Sequence, residues 1–163
     1  MIGKAIKYNL KNINTDLIIP ARYLLNSDET YLAQHCMEDL DRDFVKKIKK
    51  ENYQILVTDS NFGCGSSREQ APTAIKASGI RCIIAPSFAR IFFRNAINIG
   101  LPIIEFPGIG KIKTDDILNI QFEEGLIKNT STDEVFQIIK QPSFLQQIIS
   151  AGGLINFARK QIE

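Results

Sequence analysis

Two hydroxyls, an arginine and two glycines stand together in Gly63-Cys64-Gly65-Ser66-Ser67-Arg68-Glu69. Glycines at such positions take positive φ and let the backbone approach a ligand closely. Arg68 brings a planar, permanently charged fork that fits a carboxylate or a phosphate. The run Gln54 to Asp59 predicts a strand before the loop, and Arg68 to Ser78 predicts a helix after it, ended by Gly79. The first N–H groups of a helix are unpaired, and its aligned peptide dipoles add roughly half a positive charge there. The chemistry on offer is therefore anion binding with a hydroxyl alongside. A plainer reading is a tight turn in which Ser66 or Ser67 merely caps the helix.

Three better-known glycine motifs do not fit. The dinucleotide fingerprint needs a third glycine where Arg68 stands. A P-loop needs Gly-Lys-Ser/Thr after four intervening residues, and that spacing is missing. A nucleophile elbow needs a serine between glycines at i−2 and i+2, and neither Ser66 nor Ser67 has them. His35 is the only histidine, and nothing in the sequence brings it to Ser66 for a triad; a surface or capping role is the simpler expectation.

Composition narrows the setting. A chain of 163 residues, 44% hydrophobic and 23% charged, has the length and balance of one globular domain, expected over 1–163. The net charge of +2 is too small to argue for nucleic acid, so Lys46-Lys47 and Lys49-Lys50 read as a solvated helix face. No apolar run is long enough to span a membrane. Met1-Ile2-Gly3-Lys4 leads straight into a strand-like segment rather than a signal peptide, which makes the cytoplasm the expected location. Cys36, Cys64 and Cys82 are odd in number, far apart and free of any C-x-x-C pair. Neither a disulfide framework nor a metal or iron–sulfur site built from this chain alone is expected.

The elements that must position the loop follow from periodicity. Ala5 to Tyr8 reads as a strand, Arg22 to Asp28 as a loop, and Ser27 or Asp28 as the cap of a helix reaching about Met37. Phe44, Val45 and Ile48 fall at helical spacing in a charged stretch. From residue 54 the order is strand, glycine loop, helix, strand (Ile80–Ala85), helix (Pro86 to about Ile99, then Gly100) and strand (Leu101–Phe106). This β-α-β-α-β order predicts parallel sheet with right-handed crossovers, and ligands bind at the carboxyl ends of such strands. Arg90 and Arg94 read as a solvated face of the second helix and Phe88, Phe92 and Phe93 as core. Strands at 117–122, 127–128 and 135–139 follow, then helix from Pro142 broken at Gly152-Gly153.

Several of these stretches, in order, resemble the small swivelling part of the aconitase superfamily. They are Thr15-Asp16, Ile18-Ile19-Pro20-Ala21-Arg22-Tyr23-Leu24, His35-Cys36-Met37-Glu38-Asp39, Gly63-Cys64-Gly65-Ser66-Ser67-Arg68-Glu69, Ser87-Phe88-Ala89-Arg90-Ile91-Phe92 with Asn95, Gly100-Leu101-Pro102 and Ala151-Gly152-Gly153-Leu154. Together they cover most of residues 13–105 and resemble the small subunits of isopropylmalate dehydratases and their homoaconitase-like relatives. Gln70 stands where that family usually has His, and Asn14 where Asp is common.

The resemblance implies an α/β, single-domain swivelling β/β/α fold with a mostly parallel βαβαβ core. It implies a hydro-lyase that moves a hydroxyl between neighbouring carbons of a small dicarboxylic acid. Ser66 would be the catalytic base; Ser67, Arg68 and the backbone at Gly65 would bind substrate. A serine alkoxide is tenable only beside unpaired N–H groups and a cation. The resemblance also implies a [4Fe–4S] cluster on a larger partner subunit, with no cofactor or metal held by this chain. Arg22, Tyr23, Leu24, Leu25 and Asn26 would form the loop that reads the substrate's variable group. Homoaconitate-type relatives carry an arginine after the Tyr-Leu pair, where this chain has Leu25; Arg22 is the residue that could spoil the argument by reaching into the pocket. A homoaconitase-type subunit, or a non-catalytic carboxylate-binding module, stays open as an alternative.

Overall fold

The computed structural model describes residues 1–162. A seven-stranded sheet forms its middle. In chain order the strands are β1 (Ile2–Tyr8), β2 (Tyr53–Thr58), β3 (Cys82–Ala85), β4 (Ile103–Glu105), β5 (Ile117–Gln121), β6 (Leu126–Asn129) and β7 (Glu134–Gln137), arranged β4-β3-β2-β1-β5-β6-β7. β1 to β4 run parallel and β5 to β7 join antiparallel through β1. The helices are α1 (Thr15–Ile18), α2 (Glu29–Gln34), α3 (Phe44–Glu51), α4 (Gln70–Ala77), α5 (Arg90–Asn98), α6 (Ser143–Ser150) and α7 (Leu154–Ile162). The β2-α4-β3-α5-β4 unit is the expected parallel core.

Strand alternation sorts the side chains into two cores. Leu56 and Ile83 face one way and pack with Ala74 and Ile75 of α4, Phe92 and Ile97 of α5, and Phe44 of α3. Ile55, Val57, Cys82 and Ile84 face the other way and pack with Ile112, Leu118, Ile120, Ile127 and Phe136. The sheet curls so that its antiparallel half covers its own parallel half, leaving the helices on the outer face. That is a β/β/α layering. Two-sided burial explains the continuous apolar runs of β2 and β3, as expected of parallel strands.

Element ends depart from the sequence expectations for local reasons. α5 starts at Arg90 rather than near Pro86, because residues 87–89 are drawn into extended pairing with the glycine loop: Phe62 N–H donates to Ser87 O at 3.1 Å and Ala89 N–H to Phe62 O at 2.9 Å. α2 is capped by Asp28, whose carboxylate accepts from Tyr31 N–H, but it stops at Gln34, before Met37 takes φ 57°. The apolar Leu17-Ile18-Ile19 run contains an unexpected short helix, α1, capped by the Asn14 side chain accepting from Leu17 N–H at 2.9 Å. Among the described residues no helix is long and apolar enough to cross a membrane.

Candidate active site

The glycine loop leaves the carboxyl end of β2 and lies over a buried aromatic cluster. Phe62 and Phe92 meet edge to face at 5.1 Å. Gly63, at φ 77°, crosses directly above Phe92; a Cβ there would sit 2.2 Å from the ring's Cγ. No other residue type fits that crossing, since it needs both the left-handed conformation and an empty side-chain volume.

Ile13 and the Asn14-Thr15-Asp16 segment that opens α1 stitch the loop in place. Gly63 N–H donates to Ile13 O at 2.8 Å, and Thr15 N–H donates to Cys64 O at 2.8 Å. The buried Thr15 hydroxyl donates to Ser66 O at 2.8 Å. Asp16 meets the Arg68 guanidinium at 2.6 Å, and a second guanidinium nitrogen donates to Ile19 O at 2.9 Å. These contacts hold Arg68, 11% exposed, in one orientation while leaving some of its five N–H donors free.

The serines do not cap the following helix. α4 begins at Gln70 with Glu69 as its cap residue, and no side chain caps it. Ser66 and Ser67 are both exposed, and both line a cavity of about 490 Å³ with Gly65, Arg68 and the start of α5. That start is also without a side-chain cap. The sequence-predicted Gly65, Ser66, Ser67 and Arg68 are thus brought together. Thr15, Arg90, Arg94 and Asn95 join them at the same cavity, although sequence reasoning gave none of these a role. The clues were present in the Thr-Asp pair and in arginines four apart at the start of a helix.

The loop 22–26 is placed elsewhere and does not line that cavity. Arg22 does not reach into the pocket. Its guanidinium makes two bonds to Asp39, at 2.5 and 2.9 Å, and one to Glu38 at 2.7 Å. Those bonds hold the Asp39 carboxyl below the usual carboxylate range. Burial alone would raise the Glu38 carboxyl, but hydrogen bonds from Tyr23, His35 and Arg22 outweigh it and hold it low. Tyr23 stacks on His35 with ring centres 3.7 Å apart, so the lone histidine braces this loop and has Glu38 as its partner. Leu24 packs against the core, whereas Leu25 is fully exposed at the tip.

Among the described residues no three His, Cys, Asp or Glu side chains gather where a metal could bind. Cys36 and Cys82 are fully buried, and burial pushes both thiols up, away from the thiolate form that an iron–sulfur cluster needs. Cys64 lies alone in the glycine loop. These cysteines do not fit a cluster.

Comparison with known proteins shows the family. Residues 2–108 match the aconitase C-terminal domain. The chain is 56% identical to the 3-isopropylmalate dehydratase small subunit of Caldanaerobacter subterraneus, over 99% of both chains. It is 51% identical to the 2,3-dimethylmalate dehydratase small subunit of Eubacterium barkeri, over 95% of this chain and 94% of that one. The crystal structure of 3-isopropylmalate dehydratase from Methanocaldococcus jannaschii superposes with a TM-score of 0.90 at 43% identity, covering 99% of this chain and 95% of the other. The chain belongs to the aconitase C-terminal domain family, among the small subunits of dehydratases.

Proposed function

We propose that this chain is the small subunit of a 3-isopropylmalate dehydratase that interconverts 2- and 3-isopropylmalate by dehydration and rehydration in the cytoplasm. The observation that carries the reading is a pair of serines free of capping duty that line one cavity with Arg68. A hydroxyl used only for structure would cap α4, and neither does.

Ser66 serves as the base that removes the proton beside a substrate carboxylate. Its ionised form is stabilised by Arg68 and by the unpaired N–H groups of the loop, in a partly enclosed site where such terms count for more than in water. Arg68 receives a substrate carboxylate on the N–H groups that Asp16 and Ile19 leave free. Gly65 presents its backbone at φ 89°, a conformation that side-chain-bearing residues rarely adopt, and Ser67 is a further donor. Departure of the hydroxyl needs a Lewis acid, and a [4Fe–4S] cluster carried by a larger subunit would supply it. The chain acts as one swivelling unit that closes on that subunit.

Leu25 is exposed and outside this cavity in the isolated chain; brought over the substrate when the larger subunit closes on it, it favours an apolar substituent over a third carboxylate. A charged group against leucine would lack a partner, at a cost of several kcal/mol, whereas an isopropyl group gains about 1–3 kcal/mol from apolar contact. The dimethylmalate enzyme's small subunit is nearly as similar as the isopropylmalate ones, so a smaller alkyl malate is the second reading.

The test is co-production with a large subunit under anaerobic conditions, followed by assay on isopropylmalate, dimethylmalate and homocitrate. The complex is expected to turn over an alkyl malate, while this chain alone is colourless and inactive. A stoichiometric cluster on the isolated chain, or faster hydration of cis-homoaconitate than of isopropylmaleate, would overturn the reading.

A further inference from the structure

The cavity beside Ser66 carries more positive charge than one carboxylate requires. Arg68, Arg90 and Arg94 all line it, and no Asp or Glu does. Arg68 is offset by Asp16. Arg90 and Arg94 have no carboxylate within ion-pair distance and no hydrogen-bond partner among the described residues. They stand four apart on α5, where like charges sit on the same face and repel. Both are exposed. Arg94 also borders a neighbouring hollow walled by Phe93, Ile97, Phe144 and Leu154, which offers no anion. Next to Arg94, Asn95 lines the main cavity with an amide Nδ2 that is buried and lacks an acceptor. After Asp16 has neutralised Arg68, two positive charges remain, and the anion they suit is a dianion.

We infer that Arg90 and Arg94 bind the second carboxylate of the substrate, so that this chain alone grips a dicarboxylic acid at both ends. Arg68 takes the carboxylate next to the carbon that Ser66 deprotonates, and the α5 arginines take the remote one. This assignment rests on the dicarboxylate reading above and adds the residues that distinguish a dianion from a monoanion. A guanidinium beside an uncapped helix start attracts the substrate before it seats, so part of its effect is screened by salt.

The test uses the complex with its large subunit and the variants Arg90→Gln, Arg94→Gln and the double change. Each single variant is expected to raise KM for isopropylmalate about tenfold, as loss of a charge-assisted bond would, and the double variant by more. kcat is expected to change little, because a remote carboxylate is bound equally in ground and transition states. The wild-type KM should rise with ionic strength, and the double variant should lose that dependence. Unchanged KM, or a loss traced to weaker subunit assembly, overturns the assignment and makes these arginines partner contacts. A second arm needs no turnover. The isolated chain is titrated with succinate and with acetate while the arginine Nε–H signals are followed by NMR. Shifts at Arg90 and Arg94 with succinate, absent with acetate, support the assignment even if the complex proves inactive on alkyl malates; equal or absent shifts overturn it.

Discussion

Arg22 and the pair Arg90 and Arg94 show two uses of one residue type. Arg22 is paired with Asp39 and Glu38 and lies over Tyr23. The α5 arginines border a cavity without a carboxylate. Arg68 lies between these cases, fixed on one side by Asp16 and open on the other. A guanidinium surrounded by its own chain's carboxylates builds structure; one without them is left free to meet an outside anion. The two loops differ in the same way. The loop 22–26 is braced by Tyr23, His35 and Glu38 and presents an apolar tip, Leu25. The glycine loop is braced by backbone bonds to residues 13–15 and presents polar groups.

The comparison is broken most severely at the polar loop. Ser66→Ala is expected to abolish turnover while the complex still assembles; a general base contributes roughly 10²–10⁴-fold, and one without a substitute more. Near-normal rates in that variant would return the serines to a structural role. At the apolar tip, Leu25→Arg is expected to shift the ratio of kcat/KM values for homocitrate and isopropylmalate by about 10–200-fold toward the tricarboxylate. An unmoved ratio would take the loop out of substrate recognition.

Arg68→Lys keeps the charge but cannot give two parallel hydrogen bonds, so KM should rise and kcat fall, by about tenfold in kcat/KM. An unchanged kcat/KM would remove Arg68 from the substrate's surroundings. The smallest effect is expected at the brace. Because the Glu38 and Asp39 carboxyls are held low, the stability they contribute is present above the ordinary carboxylate pKa of roughly 4 and is lost as pH falls through their folded values. Glu38→Gln should lower Tm by a few degrees at most near neutral pH and flatten its decline below about pH 4, read by thermal melts. An equally steep decline in the variant would mean the brace carries no acid sensitivity.

Much of this molecule was legible without coordinates. Apolar runs at 54–59 and 80–85, each followed by turn residues and a helical pattern, specify parallel β-α-β units through local propensity and strand burial alone. The residues 63–68 announced an anion site because their functions are local: positive φ, small volume, a fork of donors. Element ends were less readable. The delayed start of α5 depends on pairing between Phe62 and residues 87–89, a contact between distant segments. The short helix α1 was hidden in an apolar run that looks the same as a strand.

Thus the amino-acid sequence by itself determined the strand and helix order, the glycine loop and its chemistry, since these follow from neighbours in the chain. Only the tertiary structure decided which arginine is free. Arg22, Arg68, Arg90 and Arg94 are the same residue type, and nothing local says that Asp39 and Asp16 will reach two of them and leave two facing a cavity. Close backbone packing belongs to the same class. Gly100 is tolerable only as glycine because a Cβ there would fall 2.6 Å from the Gly152 backbone, a contact between distant segments that no stretch of sequence contains.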